Sequence, residues 1–151
     1  GENYHLVLSV QEDVYHQPLR KTFSKAFTVI QKDTIPPNTD KWVIIPPASY
    51  SPAPLKVRFP DMLDVMSLRN RLMVTTMEGI EVAGKSDIRN AEESWEFTPQ
   101  VKWEPGQYVL LVHSRLEDPS GNNLNGLFDH PVGSLKREDE DQLQRIVFEI
   151  K

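Results

Sequence analysis

Apolar side chains along this chain recur at every second position far more often than at helical spacing. In "YHLVLSV" the residues Tyr4, Leu6, Leu8 and Val10 share one face of a predicted strand. "QEDVYHQP" reads as a turn and "TFSKAFTVI" as a second extended run. Pro36-Pro37 within "KDTIPPNTDK" bars regular pairing and marks a boundary. Beyond it, strands are predicted at "WVII", at "LKVRF" with Leu55, Val57 and Phe59 together, at Leu72 to Thr76, and in "EGIEVAG". Three more follow at "SWEFTP", at "YVLLVHS" with Tyr108, Leu110 and Val112 facing one way, and at "RIVFEI" with Ile146, Phe148 and Ile150. "DIRNAEES" is expected to be polar loop. The segment "SLKREDEDQLQ", with the acidic run Glu138 to Asp141, is expected to be a solvated surface connection.

A single stretch suggests a helix. "PDMLDVMSLRNRLMV" offers Asp61 or Asp64 as its cap and an apolar face of Leu63, Met66 and Leu68 over about two turns. Many short strands with no strand–helix–strand rhythm predict an all-β antiparallel sandwich. Twelve prolines argue against a helical bundle.

Charge and composition remove several functions. The net charge is −5 and the basic residues are scattered; Arg69 and Arg71 stand close together but make no stripe. Binding to a nucleic-acid backbone is therefore not expected. No apolar run approaches the roughly 18 residues that a membrane helix needs. The absence of cysteine excludes thiol catalysis, thiolate metal sites and disulfides together. It leaves the compartment open. No signal peptide is legible after Gly1.

The chain also echoes itself. "YHLVLSVQEDVYHQPLRKTF" resembles "YVLLVHSRLEDPSGNNLNGLF" with one residue inserted in the second copy. Tyr4 answers Tyr108, Asp13 answers Asp118, Leu19 answers Leu124 and Phe23 answers Phe128. "FTVI" at 27–30 answers "VFEI" at 147–150 once the acidic segment is removed. Residues 1–35 thus read as a hairpin extension, or the last two strands of a preceding repeat. Residues 36–151 read as a complete domain. A lone hairpin is marginal in water, so this one is expected to dock on the complete domain or to self-associate through its open edges.

The order and spacing of several pieces resemble the bacterial immunoglobulin-like domains of the surface-layer type. The pieces are Phe59, Leu63-Asp64, Trp95-Phe97-Pro99, Pro105-Gly106-Tyr108 and the corner Leu116-Asp118-Gly121-Asn122-Leu124. The resemblance covers residues 42 to 150. Residues 1–35 match only its back half, with His16-Gln17 where the corner has Gly-Asn. It implies an immunoglobulin-like sandwich with Greek-key connections. It also implies export to the periplasm, outer envelope or extracellular space, and a role as a non-catalytic spacer, stalk or adhesive repeat beside neighbouring domains of the same polypeptide.

Candidate chemistry is sparse. Asp118, Ser120, Asn122 and Asn123 offer oxygen ligands, and Asp118 and Asn122 are the candidates for calcium. The spacing is not that of an EF-hand. The simpler expectation is a turn, with Asp118 accepting backbone N–H groups and Gly121 at positive φ. Asp61, Asp64 and Asp87 are the carboxylates to weigh for catalysis, but nothing pairs them, and no catalytic residue and no resident cofactor are expected. His5, His16, His113 and His130 lack zinc-ligand spacing. Trp42, Trp95 and Trp103 are expected in the core or at a junction. Exposed, they would instead suggest a carbohydrate- or polymer-binding module.

Overall fold

The computed structural model describes residues 1–9, 12–18, 21–29, 31–89, 93–128 and 142–151. The positions Val10, Leu19, Ile30, Asn90, His130 and the acidic segment Glu138 to Asp141 lie outside the described residues. The chain divides into two compact units, Gly1–Asp33 and Thr34–Lys151.

The first unit is one antiparallel hairpin, β1 (Glu2–Leu8) and β2 (Phe23–Val29). Tyr4 stands opposite Phe27, Leu6 opposite Lys25, and Leu8 opposite Phe23. Directly paired residues share a sheet face. One face therefore carries Glu2, Tyr4, Leu6, Leu8, Phe23, Lys25, Phe27 and Val29, while the other carries Asn3, His5, Val7, Ser24, Ala26 and Thr28. The Tyr4 and Phe27 rings stack with centroids 5.8 Å apart at 20°.

Among its described residues the second unit contains seven strands: β3 (Val43–Ile45), β4 (Leu55–Arg58), β5 (Leu72–Thr76), β6 (Gly84–Arg89), β7 (Ser94–Pro99), β8 (Gly106–His113) and β9 (Leu143–Ile150). They form a four-stranded sheet in the order β3-β4-β7-β6 and a three-stranded sheet in the order β5-β8-β9, with every pairing antiparallel. Counted from β3, the order is first-second-fifth-fourth and third-sixth-seventh. That is a Greek-key order in a two-sheet antiparallel β-sandwich.

The alternation of the sequence builds the core. Leu55 and Val57 of β4 and Trp95 and Phe97 of β7 join Val74, Leu110, Val112, Phe148 and Ile150 from the other sheet in one buried cluster. Each fully buried aliphatic side chain contributes about 1.5–3 kcal/mol. β8 departs from simple alternation. Val109 and Leu111 are buried as well as Leu110 and Val112, as suits a central strand. On the outer face of the other sheet, Lys56 pairs with Glu96 at 3.1 Å, directly across the β4–β7 ladder.

The helix is α1 (Val65–Asn70), and Asp64 caps it by accepting the Ser67 N–H at 2.8 Å. Asp61 does not. Leu63 and Leu68 are buried as expected, but Met66 is 58% exposed and Ser67 takes its place on the inner face. With the helix starting only at Val65, Met66 falls on its outer side. A second departure is β6. The strand expected in "EGIEVAG" is only a bridge between Thr75 and Glu81, whereas the expected loop supplies Asp87, Ile88 and Arg89 to a ladder with β7. Edge strands tolerate alternating charges, which discourage pairing with other chains. Loop-like composition therefore hid a strand.

Gly84 opens β6 because a Cβ there would collide with the Phe97 ring and the Thr98 carbonyl. Gly84→Ala is expected to cost about 1–3 kcal/mol by overpacking. Urea denaturation of residues 34–151 checks this, and an unchanged midpoint would show that the edge strand simply shifts.

Candidate functional site

The polar corner after β8 gathers several polar groups around one buried carboxylate. The chain leaves β8, and Leu116 drops into the core fully buried. Asp118 then organises the turn. Its Oδ1 accepts the N–H groups of Ser120 at 2.8 Å and Asn122 at 3.0 Å, and its Oδ2 accepts Asn122 Nδ2 at 2.9 Å. The backbone closes with Asp118 N–H to the Asn122 carbonyl at 2.9 Å and Gly121 N–H to the Asp118 carbonyl at 3.0 Å. Gly121 sits at φ 83°, in the region that favours glycine. Asn122 Oδ1 accepts the Phe128 N–H at 3.1 Å. Asp118 and Asn122 are both buried.

Chemically, this corner turns its oxygens on its own backbone. Three of the acceptor positions of the Asp118 carboxylate are taken by these donors. Among the described residues, no group of three His, Asp or Glu side chains is placed to hold a metal. The corner is also tied to the helix: Glu117 N–H donates to Ser67 Oγ at 3.2 Å and Asp64 N–H to the Glu117 carbonyl at 2.8 Å.

The same construction occurs in the first unit. Asp13 Oδ1 accepts the N–H groups of Tyr15 at 2.8 Å and Gln17 at 3.0 Å. Asp13 N–H reaches the Gln17 carbonyl at 3.1 Å, and His16 N–H the Asp13 carbonyl at 3.0 Å. His16 occupies the Gly121 position at φ 60°. Isolated bridges flank both turns, Glu12 with Pro18 and Glu117 with Asn123. The hairpins behind the corners agree too. Tyr108 stacks on Phe148 with centroids 5.8 Å apart at 20°, the geometry of Tyr4 on Phe27. Tyr108 pairs with Phe148 across the ladder, so Phe27 corresponds to Phe148 and not to Val147. Phe23 lies in β2, whereas Phe128 lies in the loop beyond the second corner, so those two do not correspond.

The remaining candidates stand apart. Asp61 is exposed, Asp64 caps the helix, and Asp87 pairs with Arg89 at 2.6 Å. His5 is exposed on the hairpin face opposite Tyr4. His16 Nδ1 lies 3.4 Å from the Glu12 carboxylate, and His113 Nδ1 accepts the Arg115 N–H at 3.1 Å. Glu78 has its pKa lowered by the Thr76 side chain and then by its own backbone N–H; Tyr4 has its pKa raised by its hydrogen bond with Glu2.

The tryptophans are structural. Trp42 meets Phe59 edge-on at 4.7 Å. Trp103 is 1% exposed, donates its indole N–H to the Ala53 carbonyl at 2.9 Å, and meets Phe97, Tyr108 and Phe148. The Tyr108 hydroxyl donates back to the Glu104 carbonyl at 3.1 Å, the tyrosine-corner arrangement of such sandwiches. Sequence reasoning missed a cleft of about 360 Å³ between β5 and β6, lined by Arg71, Met73, Glu81, Ser86, Trp95 and His113. The buried indole N–H of Trp95 has no hydrogen-bond partner. No local signal announces this cleft, because its lining joins the consecutive strands β5 and β6 to residues of β7, β8 and β9.

Fold and site define the class: an antiparallel β-sandwich module preceded by a hairpin unit. Comparison with family models, curated proteins and solved structures gives no significant match. No helix among the described residues is long and apolar enough to cross a membrane.

Proposed function

We propose that residues 34–151 form an immunoglobulin-like module of the surface-layer type, a repeat in an exported bacterial protein. It works as a non-catalytic spacer, stalk or adhesive unit. The observation that carries this reading is the doubled corner. Two turns far apart in sequence share four hydrogen bonds and a positive φ at one position, and each sits beside an equivalent Tyr–Phe stack. Such detail is the mark of a duplicated unit. Duplicated sandwiches in series set distance and present surface. The buried tryptophans weigh against carbohydrate binding on an aromatic platform.

The test is thermal melting of residues 34–151 with calcium and with chelator, alongside retention on insoluble polysaccharides. The expected outcome is one cooperative transition at an unchanged temperature and no retention. A calcium site filled at a hundred times its Kd would add about 2.7 kcal/mol and raise the midpoint by several degrees. Such a rise would replace the spacer reading with a calcium-stiffened adhesion domain, and retention would replace it with a polymer-binding module.

A further inference from the structure

We propose that hairpin β1–β2 is the sixth-and-seventh-strand half of a second sandwich. Its apolar face is then covered by a five-strand element of the β3–β7 kind, carried ahead of Glu2 in the same polypeptide. The proposal rests on reading the two corners as copies of one repeat.

That surface is largely apolar, interrupted by Glu2 and Lys25. Tyr4 is 45% exposed, Leu6 50%, Phe23 51%, Phe27 47% and Val29 49%, all on one face of the hairpin. The equivalent hairpin β8–β9 shows what such a face packs against. Phe148 and Ile150, which answer Phe27 and Val29, are buried. The Trp103 ring lies 5.2 Å from Tyr108 and 6.3 Å from Phe148. β8 is also paired along its other edge: Leu72, Val74 and Thr76 of β5 stand opposite Val112, Leu110 and Tyr108. By that register, the outer edge of β1 accepts an antiparallel strand whose inward residues stand opposite Leu8, Leu6 and Tyr4.

Two further points choose the occupant. The Tyr108 hydroxyl donates to a carbonyl four residues earlier, supplied by the chain that leads out of β7. The Tyr4 hydroxyl, held on the exposed Glu2 carboxylate, answers to a carbonyl supplied in the same way, ahead of the hairpin. A second copy of residues 1–151 does not meet the need. Its β5 is already paired with its own β8, so it offers another hairpin but no covering sheet. The match departs at three positions of this face: Glu2 stands where Gly106 does, Phe23 where Gln144 does, and Lys25 where Ile146 does. The long aliphatic stem of Lys25 can lie along the apolar face with the ammonium at the rim.

The experiment duplicates residues 38–105 in front of Glu2, so that the copy of Pro105 leads into β1. Hydrogen exchange is then compared between this chimera and the unmodified chain. In the unmodified chain, β1 and β2 amides are expected to exchange fast, with the chain a monomer by sedimentation. In the chimera they are expected to slow by about 100-fold or more, as for strands inside a cooperative unit. Leu6→Lys in the chimera is expected to abolish that slowing while leaving the melting of residues 34–151 unchanged. Should the chimera fail to slow them, Lys25→Ile restores the isoleucine of the complete hairpin. Fast exchange in that variant as well would overturn the proposal. So would slow hairpin exchange in the unmodified chain, whether as a monomer, which would mean cover by residues 34–151, or only where it dimerises, which would mean a second copy. The repeat reading has its own readout: Asp13→Ala is expected to erase the hydrogen-bonded amide shifts of Tyr15 and Gln17. If those shifts survive, the repeat reading fails; if they vanish while the chimera fails, only the assigned cover is wrong.

Discussion

Trp103→Ala is expected to destabilise residues 34–151 by about 3–5 kcal/mol. The indole is 1% exposed and lies among Phe97, Tyr108 and Phe148. Its removal opens a cavity that three rigid rings cannot collapse to fill. It also leaves the Ala53 carbonyl without its 2.9 Å donor. Backbone bonds on either side, Tyr50 N–H to the Trp103 carbonyl at 2.7 Å and Trp103 N–H to the Ser51 carbonyl at 3.2 Å, hold the segment before β4 in place. The loss is therefore felt in both sheets. Domains of this size hold only about 5–15 kcal/mol in total, so the variant will unfold at much lower urea. Trp103→Phe separates the causes. It keeps an aromatic ring and loses the hydrogen bond, and its smaller cost, measured by the same denaturation, gives the packing share by difference. Equal stability of the alanine variant and the native unit would mean that Trp103 is not the cover of the Tyr108–Phe148 stack.

Asp118→Ala is expected to cost about 3 kcal/mol, because it strips the acceptor from three donors while the turn stays buried, and each buried unpaired donor costs about 1–3 kcal/mol. The donors are Ser120 N–H, Asn122 N–H and Asn122 Nδ2. Solvent will reach Ser120 at the exposed tip and soften the sum. Asp118→Asn keeps an acceptor for the backbone donors but confronts Asn122 Nδ2 with a second amide, so an intermediate loss is expected. The measurement is chemical denaturation with and without calcium. A loss independent of calcium assigns Asp118 to the architecture of the corner, whereas a loss seen only with calcium present would make it a ligand.

Much of this was legible because the strands alternate. Leu55, Val57 and Phe59, and likewise Phe148 and Ile150, announce their buried face by spacing alone, since successive strand side chains point to opposite sides. The corner was legible because Asp118, Gly121 and Asn122 are suited to a turn that needs a local acceptor and a positive φ. β6 was not legible. Its residues Lys85, Asp87 and Arg89 face outward and its inward set Gly84, Ser86 and Ile88 holds one large apolar residue, so only its ladder with β7 makes it a strand. Met66 was misplaced for a related reason: a six-residue helix is too short for a hydrophobic pattern to fix its rotation, which is set by the cap at Asp64 and the contact through Ser67.

The sequence by itself determined the all-β class, the inward faces of strands such as Leu55-Val57 and Phe148-Ile150, and the turn chemistry of the Asp118 corner. These depend on interactions between near neighbours, on a strand period of two, and on backbone preferences that each residue carries with it. Tertiary structure decided the strand order, the partners of Trp103, the cleft between β5 and β6, and the matching bonds at Asp13 and Asp118. It also placed Phe27 opposite Tyr4, as Phe148 stands opposite Tyr108, one residue away from the alignment read along the chain. Register is a property of two strands together. The residue that faces a given side chain is chosen by the ladder and the packed core, and neither is contained in the spacing of one strand alone.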